Sequence, residues 1–215
     1  MYKGKPFFVT FEGIEGSGKS FQCNKLYNKL KKKKLPVIQT REPGGTKSAE
    51  KIRNVILDDY FASDSKEKFS KYTDTLLYLA ARNEHVQNII KPALLKKKIV
   101  VCDRFIDSTF AYQVFGKGVN KAFVDSIHKF ILGNTKPDLT FVLRVNILKA
   151  LQRLKVRRKK NRYDKFSKNF YIKVQNAFIK IAKKNARRYC IVDNSQDSAE
   201  TENIIFDKFM QFLNK

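Results

Sequence analysis

Residues 13–20, Gly13-Ile14-Glu15-Gly16-Ser17-Gly18-Lys19-Ser20, fit the spacing G-x-x-x-x-G-K-[ST]. The chemistry this spacing serves is the holding of a nucleoside triphosphate. Glycines let backbone N–H groups converge on phosphate oxygens without a clash at Cβ. A helix starting near Ser20 adds its positive N-terminal end. Lys19 supplies a point charge for the β- and γ-phosphates, and Ser20 supplies an oxygen for Mg²⁺. An apolar run, Phe7–Phe11, precedes the loop, and a helical pattern from Phe21 follows it. Strand before and helix after is the context that separates this motif from a chance glycine turn.

A second group of candidates closes the segment Ile99-Val100-Val101-Cys102-Asp103-Arg104. An acid at the carboxyl end of a buried parallel strand lies beside the phosphate loop, where a carboxylate meets the Mg²⁺ shell. Asp103 fits that place, and it also fits a simple strand-terminal cap. Arg104 can grip a second phosphate bidentately, which points to an acceptor that is itself phosphorylated, or it can be a solvated loop arginine. His85 and His128 are the only histidines and lack Cys or acid partners at metal spacing, so zinc chemistry is not expected.

These residues need a frame. Apolar runs rich in Val, Ile and Phe alternate with helical periodicity along the chain. Strands are expected at Phe7–Phe11, Val37–Thr40, Ile99–Cys102, Leu139–Val145 and Tyr189–Val192. Helices are expected at Phe21–Leu30, Ala49–Leu57, Thr73–Ile90 (closed by Pro92), Asn120–Leu132, Ile147–Leu154, Asn169–Ala186 and Ser198–Leu213. Strands alternating with helices predict an α/β protein whose five-stranded parallel sheet is covered on both faces.

The chain has 215 residues, a length suited to one domain. No apolar run approaches the ~18–20 residues of a membrane span, and the N-terminus lacks the shape of a signal peptide. Three separated cysteines, Cys23, Cys102 and Cys190, favour a reducing cytosol over a disulfide framework. Lys plus Arg exceeds Asp plus Glu by 25, which calls for an anionic partner. Lys149–Arg188 alone holds 16 of the Lys/Arg residues against one acid, Asp164. Two readings of that window compete: a phosphate-binding lid followed by a solvated helix, or a nucleic-acid surface on a P-loop ATPase. Few aromatics interleave the lid itself to stack bases, which disfavours the second.

Four segments together resemble bacterial thymidylate kinase, a P-loop nucleoside monophosphate kinase family. They are Phe11–Ser20 around the loop; Thr40-Arg41-Glu42-Pro43-Gly44-Gly45-Thr46; Asp103–Gln113, with its D-R-x-x-D-S start; and Lys136-Pro137-Asp138-Leu139-Thr140. The resemblance runs in order over essentially the whole chain. It implies a five-stranded parallel sheet wrapped by helices with a mobile basic lid, and transfer of the γ-phosphoryl of ATP to dTMP with Mg²⁺. It also implies a cytoplasmic homodimer acting as one domain, 1–215, with no membrane and no specific nucleic-acid partner.

Carried over residue by residue, the resemblance implies that the phosphate loop, Gly13 to Ser20, binds ATP. Ser20 and Asp103 would face the metal. Tyr78 would stack on thymine, a Tyr where Phe is commoner, with its π-face retained. Arg82, Thr109 and Gln113 match base-contacting positions. Arg53 and Arg104 match arginines on the dTMP phosphate. Tyr112 would crowd a ribose 2′-hydroxyl, and Glu15 would lie near the sugar 3′-OH. The lid, Arg153 to about Ser167, carries Arg153, Arg157, Arg158 and Arg162. That suits family members with an acid at the Glu15 place, which keep their catalytic arginines there; Arg153 is the favoured one. Lys19, Asp103, Arg104 and Arg153 are thus the expected catalytic set. Asn161-Arg162-Tyr163-Asp164 resembles the D-R-x-[DE] segment that closes the lid, with Asn in place of Asp.

Overall fold

The computed structural model of the chain describes residues 4–57, 69–156, 162–196 and 199–214. Five strands form one all-parallel sheet in the order β2-β3-β1-β4-β5. They are β1 (Phe7–Glu12), β2 (Val37–Arg41), β3 (Ile99–Asp103), β4 (Leu139–Arg144) and β5 (Tyr189–Asp193). The three central strands are buried nearly throughout, because helices cover both faces and leave no solvated side. Phe7, Val9 and Phe11 point to one face, against Cys23, Leu26 and Leu30 of α1 (Lys19–Lys32) and Ile205 and Phe209 of α9 (Ala199–Leu213). Phe8 points to the other, against Leu79 of α3 (Lys71–His85).

The remaining helices are α2 (Lys47–Leu57), α4 (Lys91–Leu95), α5 (Ile106–Thr109), α6 (Lys121–Leu132), α7 (Ile147–Lys155) and α8 (Lys168–Lys184). Side-chain caps set several starts. Ser70 accepts from Thr73 N–H, and Asn120, Asn146 and Ser167 cap α6, α7 and α8. The lysine runs 31–34 and 96–98 fall at the ends of α1 and α4, beside the negative end of the helix dipole.

Two expectations are corrected. Pro92 does not close the long helix. The hydrogen-bond register widens to a π-helical turn at Val86–Ile90, where Lys91 N–H reaches Val86 O, and Pro92 then sits in the first turn of α4. A first-turn residue needs no N–H, so the proline is tolerated there. The second correction lies between Arg104 and Asn120, where no helix was expected. There α5 runs directly into a π-helical segment, Phe110–Gly116.

Candidate functional site

The order β2-β3-β1-β4-β5 puts the phosphate loop at the carboxyl edge of β1, between β3 and β4. Crossovers leave to opposite sides there and open a crevice. Gly16 and Gly18 both have positive φ, 72° and 84°. A Cβ on Gly16 would stand 2.5 Å from Ala150 O, and one on Gly18 would collide with Asn194 Nδ2. The loop is therefore clamped from α7 and from the residue after β5. Asn194 Nδ2 donates to Ser17 O at 2.8 Å, and Arg153 donates to Gly16 O at 2.9 Å and Asn194 O at 3.2 Å.

A cavity of about 480 Å³ opens at this edge, a volume suited to small-molecule sites. Around the phosphate loop it is lined by Gly16, Gly18, Lys19, Ser20, Asp103 and Arg153. Its other end is lined by Arg53, Tyr78, Arg82, Arg104, Thr109, Tyr112 and Gln113, with Glu15 between. All eight residues expected around the acceptor thus share one cavity with Lys19. Gly13, Ile14 and Ser17 do not line it. Ile14 is buried in the core and contributes its carbonyl, which accepts from Lys19 Nζ at 2.6 Å. Burial, and then the charge of Arg104, pull the Lys19 ammonium down to about 8.

Ser20 Oγ donates to Asp103 Oδ2. Asp103 Oδ1 is buried and has no hydrogen-bond partner among the described residues. A hydroxyl and a carboxylate side by side, with one buried carboxylate oxygen unmatched, fit a hard divalent cation.

Arg104 sits at φ 69°, an uncommon conformation for a residue with a side chain. Its guanidinium donates to Gly13 O at 3.0 Å, Ser108 Oγ at 3.1 Å and Glu15 Oε1 at 2.8 Å. Glu12, at the end of β1, fixes the turn that follows. It accepts from Phe105 N–H at 2.8 Å, Ser108 N–H at 3.3 Å and Ser108 Oγ at 2.6 Å. Burial first, then nearby Asp107, pushes the Glu12 carboxyl up to about 8.

Arg82 is buried, and each of its three guanidinium nitrogens has protein partners. Nε and Nη2 reach Glu42, Nη1 reaches Thr109 Oγ1 and His128 Nε2 (2.7 Å each), and Nη2 also reaches Phe105 O at 2.9 Å. It lines the cavity as a guanidinium already oriented, so contact with a base requires one of these bonds to be shared. Tyr112 donates its hydroxyl to Glu15 Oε2, and Arg104 lies 5.3 Å over its ring. Arg53 donates to Pro43 O at 2.7 Å.

The basic window divides. Arg157 and Arg158 lie outside the described residues. Lys183, Lys184 and Arg187 are exposed, as expected of a solvated helix end. Arg188 is not a solvated charge. It approaches Asp107 Oδ2 at 3.4 Å, beside Tyr189 OH at 2.8 Å from Asp107 Oδ1. Arg162 does not line the cavity; it pairs with Asp74. An acid far along the sequence faces each of them.

Several participants escaped the sequence. Glu42 is quoted above only as part of T-R-E-P-G-G-T, yet it holds Arg82 and His85 together. Burial would raise Glu42, but Arg82 and His85 outweigh it and hold the carboxyl below its usual range. Tyr163, carried by a 3₁₀ turn at Arg162–Lys165, lines the acceptor end, its ring 5.8 Å from Tyr112 and 6.2 Å from Tyr78. Its place beside Arg162 in the lid segment was the available signal. Asn194 gave none.

The sequence profile of the thymidylate kinase family matches residues 11–205. A thymidylate kinase of Sulfurihydrogenibium sp. is 40% identical over 205 residues, spanning 95% of this chain and 97% of the relative. The thymidylate kinase of Mycoplasma capricolum is 38% identical over 210 residues, spanning 95% and 96%. The crystal structure of thymidylate kinase from Ehrlichia chaffeensis superposes with a TM-score of 0.75 at 33% identity, covering 95% of this chain and 99% of that one.

Proposed function

The chain belongs to the thymidylate kinase family, and from that membership we infer that it transfers the γ-phosphoryl of ATP to dTMP, giving ADP and dTDP. One observation carries the reading within this molecule. The arginines Arg53 and Arg104, the aromatic Tyr78 and the loop lysine Lys19 all open onto one cavity. A second phosphate site beside a phosphate loop, walled by a ring that can stack on a base, is what a nucleotide acceptor requires.

We propose that Arg104 and Arg53 hold the dTMP phosphate, and that Tyr78, Arg82, Thr109 and Gln113 hold the base. The loop backbone and Lys19 hold the donor phosphates, and Arg153 offsets charge on the migrating phosphoryl. Ser20 and Asp103 would hold Mg²⁺, which supplies charge neutralisation between the β- and γ-phosphates. Val55 of α2, Tyr72 and Leu76 of α3 and Phe130 of α6 are large exposed apolar side chains on neighbouring helices, which supports a homodimer through that side of the sheet. Among the described residues no helix is long and apolar enough to cross a membrane. With three free cysteines, this supports work in the cytoplasm as one kinase domain.

The test is an acceptor screen with ATP and Mg²⁺. dTMP is expected to support turnover, with AMP, GMP and dCMP far behind. ATP hydrolysis stimulated by DNA at about 150 mM salt, with no response to dTMP, would replace the kinase reading with the nucleic-acid one.

Two substitutions test the acceptor end. Arg104→Ala removes a charge-assisted phosphate contact worth about 1.5–3 kcal/mol, so KM for dTMP should rise roughly 10- to 150-fold with KM for ATP little changed. Equal loss for both substrates would move Arg104 to the donor site. Tyr112→Ala should admit ribothymidine monophosphate, because the crowding comes from the ring. Tyr112→Phe should keep deoxy preference while releasing the hydroxyl bond to Glu15. Undiminished discrimination in both variants removes the sugar-gate role.

A further inference from the structure

Asp74 stands in the first turn of α3, at helical spacing with Tyr78 and Arg82, so the three share a face. Its side chain is 2% exposed. No sequence argument singled it out, and it touches neither phosphate site. Yet its carboxylate gathers three partners from two distant segments. Oδ1 pairs with Arg162 of the 3₁₀ turn. Oδ2 accepts from Lys117 Nζ at 2.7 Å and Gln113 Nε2 at 3.4 Å.

The Gln113 contact has a chemical consequence. A carboxylate paired with two cations only accepts hydrogen bonds. The amide of Gln113 must therefore turn its NH₂ towards Asp74. Its carbonyl oxygen, Oε1, is left for the cavity that Gln113 lines, and no described residue donates to it. Were the amide reversed, two acceptors would face each other in a buried place, at the cost of an unmade hydrogen bond. The two cations also hold the carboxylate still. Lys117 lies 5.5 Å over the Tyr163 ring and Arg162 lies 5.1 Å over the same ring, so the turn that walls the acceptor end braces the same group.

We propose that Asp74 is a positioning residue for acceptor choice. It fixes Gln113 so that the carbonyl oxygen meets the ring N–H of an imide base, which thymine and uracil have and cytosine lacks. This rests on the reading of the cavity as a base site. It adds to that reading where the choice between pyrimidines is made: in a buried carboxylate that the substrate never touches. A site built to accept from an N–H discriminates against a ring that offers a lone pair there, because two acceptors then face each other unpaired.

The experiment compares kcat/KM for dTMP and dCMP, with dissociation constants for both by calorimetry. Asp74→Asn keeps the shape and can donate to Gln113 Oε1, which releases the amide to turn. The ratio of dTMP to dCMP kcat/KM is expected to narrow by about tenfold or more, mostly through KM for dTMP. A packing role would lower both substrates together and leave the ratio alone. Arg162→Gln leaves the carboxylate facing Gln113, so it should weaken dTMP and keep the ratio. A folded Asp74→Asn with the parental ratio overturns the proposal. If Asp74→Asn does not fold, Gln113→Met removes the amide with no charge change. It should narrow the ratio by the same amount, and an unchanged ratio there also overturns the proposal. The unmodified enzyme is measured first: failure to use dTMP at all overturns the function reading, whereas failure of the variants alone overturns only the role of Asp74.

Discussion

Lys19→Ala should reduce phosphoryl transfer by about 10²–10³-fold or more while the protein stays folded. Among the described residues the lysine ammonium bonds only its own loop, to Ile14 O at 2.6 Å and Ser17 Oγ at 3.4 Å, so no distant described element loses a partner. Alanine is a strong helix former at the start of α1. Single-turnover transfer, set beside a thermal melt, separates chemistry from folding. Wild-type transfer by a folded variant would remove the phosphate-loop assignment. The same residue sets a pH limit. An amine at about 8 loses its charge as pH rises through 8, where an ordinary lysine would keep it to about 10. Since kcat/KM reports the free enzyme, kcat/KM for ATP should be level about a unit below pH 8 and fall as pH rises through 8. A profile level to pH 10 would mean that the buried ammonium keeps its proton.

Arg153→Ala carries the second large expectation, a loss of about 10²-fold in kcat, with KM for ATP rising as the loop loses a brace and KM for dTMP little changed. The guanidinium lines the cavity beside the phosphate loop and is anchored on Gly16 O and Asn194 O. A group held in place before reaction stabilises developing charge without reorganising, and that is where its value lies. Rapid-quench measurement of the transfer step checks this, because slow product release can mask a chemical defect in steady state. A silent variant would pass the role to another arginine of the 153–167 segment.

The sheet and the phosphate loop were legible for the same reason: both are written in local sequence. Phe7–Phe11 and Ile99–Cys102 are apolar runs because both faces of their strands are covered, and the glycine spacing stands between a strand and a helix. Of the four stretches that resemble the family, two carry Glu15, Arg104, Thr109, Tyr112 and Gln113 of the cavity lining, and the carry-over added Arg53, Tyr78 and Arg82 but missed Glu42 and Tyr163. What local sequence could not carry was pairing across the chain. Asp74 and Arg162 are 88 residues apart, and Asp107 and Arg188 are 81 apart. A cation in a lysine-rich window looks solvated until the acid opposite it is known. Backbone of unusual pitch was equally hidden. The π-helical turn at Val86–Ile90 is what permits Pro92, and nothing in that composition announces a wider turn. Arg82 shows both sides. Its place was found, but its four partner residues, Glu42, Phe105, Thr109 and His128, converge from three stretches of the chain.

The clamp on the phosphate loop has a bearing on how the chain is made. A ribosome delivers the N-terminus first, so the glycine motif emerges when most of the sheet is still unwritten. Its shape is held by Ala150, Arg153 and Asn194, and Asn194 follows the last strand. The loop motif is thus made well before the residue that braces it, 177 positions later than Ser17. A nascent or truncated product ending before residue 194 carries the motif letter for letter without the amide that braces Ser17. A ligand that needs the braced loop can add to stability only once residue 194 is in place.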